Sequence, residues 1–380
     1  MKKSAFIRAF LIPAAVFQAG VFGGGYGTGR EIVEFISSNG PMGGLLGILI
    51  VAIAWGLALA ISYEFARRFK VYDYRNFFKR LIGPFWLLFE IQFVFALLLV
   101  LAVNSAAAGF ILHDLFAIPN LVGVTLVLLS IMALTYYGRS VVEKSMAFWS
   151  VTLTLVLIGY CALVFYFKAD KLSHTFATVA SSSDSILQGF QYALYNMGII
   201  PLLLFCVPHL KTRGEAITGG FFAGFLGAFP ALVFHIAFMA EYPAIIEEEI
   251  PTYAGIRALP LPYLLSVYAI VLFGLIVQTG VAFLQGLNER LDSWFLELKG
   301  HRLGQWSRAS ISGGAVIASI LLSNLGIIAL IAKGYGTLAW VILVIYALPL
   351  VTVGIYRIIR YNNATVQSDN AADTDLIGMK

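Results

Sequence analysis

Apolar residues fall along this chain in long blocks, separated by short joints that collect Arg, Lys, Gly and Pro. A bilayer core needs about 20 mainly apolar residues per helix, so each block is read as a membrane-spanning helix. Ten spans are predicted, at about 7–38, 42–66, 83–112, 118–137, 145–167, 186–209, 214–240, 262–289, 309–331 and 336–357. The opening MKKSAFIRAFLIPAAVF, basic and then apolar, has the form of a signal peptide. Because nine further spans follow it, it is read as an uncleaved first helix. The expected class is an all-α polytopic membrane protein with one transmembrane domain over 1–360. The polar, unpatterned stretch 361–380 reads as a disordered cytoplasmic tail.

Two of the spans are expected to break. The first would be near 48 Å long as a continuous helix at about 1.5 Å per residue, which overshoots the hydrocarbon core. Its middle reads Gly23-Gly24-Gly25-Tyr26-Gly27-Thr28-Gly29, and each glycine costs about 1 kcal/mol against Ala in a helix. Gly23/Gly27 and Gly25/Gly29 also fit GxxxG helix packing. A packing face does not need the charges that follow at Arg30, Glu31 and Glu34, so an unwound, cavity-lining segment is the stronger reading. The sixth span is interrupted at Tyr195-Asn196-Met197-Gly198-Ile199-Ile200-Pro201, where Pro201 has no N–H to give. Breaks in spans one and six make each half of five spans begin with a broken helix. Five is odd, so the second half (186–357) must sit inverted relative to the first (7–167). Paired interruptions of this kind point to a transporter's binding site.

Composition then narrows the function classes. The chain is 60% hydrophobic and 12% charged, with mean hydropathy +0.87, whereas soluble domains carry roughly 25% charged residues. That excludes an ordinary soluble enzyme, a nucleic-acid binder and a disordered chain. The net charge of +5 is a matter of topology. With the N-terminus inside, only Lys168, Lys171, Arg257 and Lys333 fall outside and Arg30 falls within a span. The positive-inside rule therefore supports ten spans with both termini cytoplasmic. Cys161 and Cys206 lie in apolar runs and read as hydrophobes.

Ten spans broken at one and six resemble the leucine-transporter fold of the amino acid–polyamine–organocation superfamily. More closely, Gly25-Tyr26-Gly27-Thr28-Gly29-Arg30-Glu31-Ile32 with Phe35 resembles the first helix of YkvI-type bacterial membrane proteins, where the pattern runs roughly G-F-A-S-G-Q-E-I. Tyr192 to Asn196 and Thr279-Gly280-Val281 resemble that family's sixth and eighth helices. Arg30 stands where the family usually has Gln, and Gln278 where it often has Thr. The resemblance covers about 7–357 and implies a secondary transporter in the bacterial cytoplasmic (inner) membrane. In sodium-coupled members of the fold, hydroxyls at the level of Thr279 and Gln278 join helix-one carbonyls around Na⁺, and hard cations take such oxygen ligands. No lysine lies mid-span five to replace that ion. Thr279 bonding back to its own helix is the bland counter-reading.

An unwound helix frees backbone groups that must find partners in lipid. Half-helix ends offer positive amides to an anion and carbonyls to a cation, which suits a small zwitterion. The expected substrate-binding residues are Gly24, Gly25, Tyr26, Gly27, Thr28, Gly29, Asn104, Tyr195, Asn196 and Gly198. The amides of about 27–30 are expected to hold a carboxylate and the carbonyls near Tyr195 an amine, with Tyr26 closing over the ligand. Arg30 and Glu31 are the expected coupling or charge pair, since intramembrane charges are functional by default. Arg30 bracing Glu34, and Glu31 capping the outer half-helix, are the structural alternatives. His235 reads as a hydrogen-bonding group or a proton relay. The loop 241–261 resembles an outer lid, and the basic, aromatic segment 67–80 reads as an inner-leaflet contact.

The expected function is alternating-access transport of a small, amino-acid-like organic solute. It is driven by a cation gradient, with Na⁺ slightly ahead of H⁺. The expected partners are that solute, the coupling cation and the lipid bilayer, with no nucleic acid, no cofactor beyond Na⁺, and the oligomeric state open. A transporter-like sensor or a channel is the rival. An enzyme is disfavoured, because HExxH, GxSxG and GxGxxG are all missing.

Overall fold

The computed structural model describes residues 7–361 apart from 138 and 302, and those residues form helices and turns with no strand. The expected tail beyond Tyr361 and the basic residues Lys2, Lys3 and Lys380 lie outside the described residues. The first span is three pieces, α1 (Ile12–Val21), α2 (Gly24–Gly27) and α3 (Arg30–Phe35). There follow α4 (Gly40–Phe69), α5 (Tyr74–Ile82), α6 (Leu87–Phe116), α7 (Asn120–Tyr137), α8 (Arg139–Thr178) and α9 (Ser185–Met197). A 3-10 segment, Ile200–Cys206, continues α9 at an angle of 52°. Then come α10 (Arg213–Phe238), α11 (Pro251–Arg257), α12 (Pro262–Lys299), α13 (Gln305–Ser323) and α14 (Ile327–Tyr361).

Six of these helices are long and apolar enough to cross a membrane, and the bent pair adds a seventh span. The protein is a multi-pass membrane protein. The other three expected spans correspond to the interrupted first helix, α7 and α13. One expected boundary moves. The ninth block was drawn to 331, but α13 ends at Ser323 and Gly326 turns the chain at φ 80° before α14 begins. Lys333, expected in an outside joint, therefore lies within α14.

The core is built on close helix approaches. A Cβ on Gly224 would stand 2.4 Å from the backbone N of Gly56, and one on Gly220 would stand 2.3 Å from that of Ala60. α10 and α4 thus meet backbone to backbone, as small residues allow in membranes. Gly189 of α9 meets Gly47 of α4 in the same way. The indole of Trp55 on α4 donates to the Ala193 carbonyl at 3.0 Å and packs edge-on against Phe17 of α1. α1, α4, α9 and α10 consequently form one packed group around the first break.

Gly224→Ala should lower the melting temperature clearly, at a cost of about 2–3 kcal/mol for overpacking against backbone. Gly159→Ala, whose Cβ would meet nothing within 4 Å, should be neutral or slightly stabilising. Thermal unfolding of the two variants side by side tests the close approach.

Candidate functional site

The first helix breaks twice. At Phe22 and Gly23 the backbone leaves the helix, with ψ 82° and then ψ 177°. After the single turn α2 it breaks again at Gly29, which is left-handed at φ 76°. A side chain at Gly29 would stand 2.4 Å from the Phe238 ring and 2.5 Å from Thr252 Oγ1, so this position excludes all other residues on both counts.

Neighbours take up the freed backbone groups. The Gly24 N–H donates to Thr279 Oγ1 at 3.1 Å, and Tyr268 on α12 donates its hydroxyl to the Gly27 carbonyl at 2.7 Å. The Thr252 N–H, in the 241–261 loop, donates to the Thr28 carbonyl at 3.0 Å. Thr28 donates its hydroxyl to the Gly25 carbonyl at 2.6 Å. This corrects the expected carboxylate cradle. The N–H groups of Gly27, Thr28 and Gly29 donate to the carbonyls of Gly23, Gly24 and Tyr26, and the Arg30 N–H donates to Thr28 Oγ1. All four amides are already used within the chain.

Arg30 and Glu31 do not pair with each other. Arg30, buried at 3% exposure, donates to the carbonyls of Ile246 (2.5 Å) and Glu248 (3.0 Å) and to Glu34 at 2.6 Å. It both braces α3 and clamps the 241–261 loop, which packs over the broken helix as the lid reading expected. The loop's first turn is tied to α8 by an ion pair between Lys168 and Glu241. Glu31 points the other way and accepts a hydrogen bond from the Tyr195 hydroxyl at the helix-six break. Its other oxygen lies 2.7 Å from where a Gly25 Cβ would be. Glu31 thus bridges the two broken helices.

Beside it opens a cavity of about 100 Å³, lined by Gly23, Gly25, Glu31, Tyr195, Asn196, Gly198 and Thr279. It continues past Gly20, Gln92, Phe93, Ala96, Leu202 and Phe283. On the opposite side the Arg30 clamp and the lid close the site. Glu31 is the only acidic or basic residue among those lining the cavity, apart from tyrosines.

Several expected residues stand elsewhere. Tyr26 does not close over the cavity. Its ring packs on Phe22 (4.8 Å) and Phe234 (5.5 Å) in the core. Gly24, Gly27 and Gly29 are buried against α12, the lid and α10. Gln278 does not line the cavity, and its Oε1 is buried without a hydrogen-bond partner among the described residues. Asn104 is fully buried, with its Oδ1 2.8 Å from the place of a Gly24 Cβ and neither amide atom hydrogen-bonded among the described residues. Thr279 spends its proton on the Leu275 carbonyl (2.8 Å). Its oxygen still reaches the first break, where it accepts from the Gly24 N–H.

His235 is a structural tie. Its Nε2 faces the Pro41 carbonyl at 2.8 Å, which requires an N–H there, so Nδ1 accepts from Ser37 (3.0 Å). The residue that sequence reading missed is Tyr335. It lines the cavity from α14, and its ring stacks on Tyr195 at 4.9 Å. It ends a π-helical stretch, Leu330–Tyr335, of the kind that often marks functional sites. The available signal was its setting between Gly334 and Gly336, since Gly334 lets α14 approach Leu99 of α6.

No family model matches the chain, and no curated protein matches it in sequence. Solved structures do. The chain is similar to the manganese transporter of Eremococcus coleocola in complex with an aromatic bis-isothiourea compound. The TM-score is 0.56 at 14% identity, over 92% of this chain and 80% of that one. It is also similar to a Na⁺-coupled sialic acid symporter in a substrate-bound outward-open state, with TM-score 0.54 at 12% identity, over 92% of this chain and 86% of that one. The chain has the leucine-transporter fold. The narrower resemblance to YkvI-type proteins gains no family match.

Arg30→Gln should release the lid. Hydrogen exchange across 244–257 should rise at least tenfold, since breaking a buried charge pair costs about 3 kcal/mol. Exchange in α4 should stay as it is.

Proposed function

We propose that this protein is a secondary transporter of a small organic solute that carries an amino group. The observation that carries the reading is the lone carboxylate of Glu31, held by Tyr195 between two broken helices and facing the cavity. A carboxylate beside stacked tyrosine rings attracts an ammonium through both charge and π-face. An amino acid fits if its carboxylate is met by cavity-lining groups other than the amides of 27–30, such as the carboxamide of Gln92. A simple amine fits without that requirement. The structural neighbours, transporters by their names, support transport over catalysis.

The cavity lies on the side of the chain that also bears α5 and its basic residues. With the positive-inside rule this reads as an inward-facing state in the bacterial inner membrane, both termini cytoplasmic. Alternating access then consists of releasing the Arg30 clamp and closing the passage past Phe93 and Phe283. For coupling, Thr279 at the first break supports Na⁺ held with helix-one carbonyls, and Glu31 supports H⁺. A divalent transition metal is a weaker cargo for this site. Among the described residues no three His, Cys, Asp or Glu side chains converge, whereas Mn²⁺ calls for several oxygen ligands and the later metals for imidazole or thiolate.

The test is thermal shift of the purified protein against amino acids and amines, in sodium and in potassium, followed by uptake of any hit into proteoliposomes. A ligand bound only by the folded state raises the melting temperature. Glu31→Gln should abolish the shift and cut uptake at least tenfold while the protein remains folded. Unchanged uptake kinetics would remove Glu31 from the mechanism. Binding without flux would favour a sensor, and flux that does not saturate would favour a channel.

A further inference from the structure

Away from the cavity, the N-terminal side of the molecule carries a second built feature. α4 ends at Phe69 and is followed by Lys70, which adopts left-handed backbone at φ 53°. Glycine is the usual residue at that position of a helix end, so here a cation is kept where the backbone disfavours it. The chain then turns into α5, whose first turn is capped by Asp73. That carboxylate accepts from the Asn76 backbone (2.9 Å) and side chain (2.8 Å) and is thereby engaged. α5 buries Phe77, Phe78 and Leu81 against the core and turns Lys79 and Arg80 outward.

The outcome is a pocket of about 730 Å³ lined by Arg68, Lys70, Asn76, Lys79, Arg80 and Tyr361. Aromatic rings orient its guanidiniums. Arg68 lies 4.4 Å over Tyr361 and Arg80 lies 4.9 Å over Phe69. Lys79 lines the pocket with its stem while its ammonium lies 5.1 Å over Trp86. Arg68, Lys70 and Arg80 with an amide donor around one concavity are a recognition set for phosphate oxygens. Phe69 and Val71 add apolar surface to its wall. Beside it, between the same two helices, runs a groove of about 510 Å³ lined by Leu81, Phe85, Val344 and Leu348, with Arg357 one turn before Tyr361.

We propose that this pocket binds the headgroup of an anionic phospholipid, with an acyl chain lying in the adjoining groove. The phosphate chemistry alone would also suit a soluble phosphate. The groove, where Phe85 is 65% exposed, favours the lipid, because a soluble ion gains nothing from it. Such a lipid spans the end of α4, α5 and the end of α14. Phe77 and Phe78 already pack on Tyr346 of α14 (ring centroids 6.2 and 5.8 Å), so its headgroup would pin together helices that a moving passage must part or join.

The test uses the full chain in detergent, with native mass spectrometry and thermal shift after adding phosphatidylglycerol, cardiolipin, phosphatidylcholine or inorganic pyrophosphate. The anionic lipids should be retained and should raise the melting temperature, whereas phosphatidylcholine and pyrophosphate should not. Arg80→Gln should weaken retention about fivefold or more, in keeping with the usual effect of one basic residue at an anionic surface. Arg75→Gln is the control. Arg75 is on the same helix but faces Glu297 and Trp86 outside the pocket, and its loss should change retention little. Equal losses in the two variants would mean general charge attraction and overturn the site. Stabilisation by pyrophosphate equal to that by lipid would replace the lipid with a soluble phosphate, and equal retention of phosphatidylcholine would reduce the feature to ordinary annular contact.

Discussion

An unwound helix inside a membrane must hand its backbone groups to something other than water, and that requirement organises this molecule. Three groups freed near the first break have recipients on other elements. Thr279 takes the Gly24 amide, Tyr268 serves the Gly27 carbonyl, and Thr252 serves the Thr28 carbonyl. Those recipients belong to α12 and to the lid, so the break fixes where both must stand. The glycines of α4, α9 and α10 then let the surrounding helices come close enough to enclose it. A group left unmet would cost several kcal/mol in hydrocarbon, more than any single packing contact returns.

The two breaks solve the problem differently. After α9 the chain drops into a 3-10 turn and satisfies itself, with the amides of Gly198, Ile199 and Leu202 reaching the carbonyls of Tyr195, Asn196 and Ile199. Pro201 needs no partner for an N–H it lacks. The second break is self-contained, whereas the first depends on other elements for its hydrogen bonds. Movement that changes those partners therefore falls on the first helix and the lid. Tyr195 is the stationary end of the link to Glu31.

Much of this was legible in the residues. Glycine density and the Arg30-Glu31 pair located the first break, and Gly198 with Pro201 located the second, because propensity and missing donors act locally. The partners of each charge were not legible. Adjacent residues on a helix face different neighbours, so sequence put Arg30 and Glu31 in one role where the fold gives them two. The amides of 27–30 looked available because nothing in the sequence says that α2 forms a closed turn between two breaks. Tyr335 was missed because its relation to Tyr195 spans most of the second half of the chain. The end of α13 was misplaced because Asn324 and Gly326 interrupt an apolar run that continues on either side.

Arg30 and Glu31 sit side by side on α3, a helix of only six residues. Side chains one position apart diverge by about 100° around a helix axis, so one faces the lid and the other the cavity. On the proposed transport cycle this piece, set between Gly29 and the 3-10 turn Ser37–Asn39, acts as a lever. Whatever draws Glu31 away from Tyr195 also rotates the guanidinium that grips Ile246 and Glu248, and loosening that grip moves the carboxylate. By thermodynamic reciprocity, a ligand that tightens one end of the lever must shift the equilibrium at the other by the same free energy. On the proposed function, occupancy of the cavity and closure of the lid are then a single coordinate read at two ends.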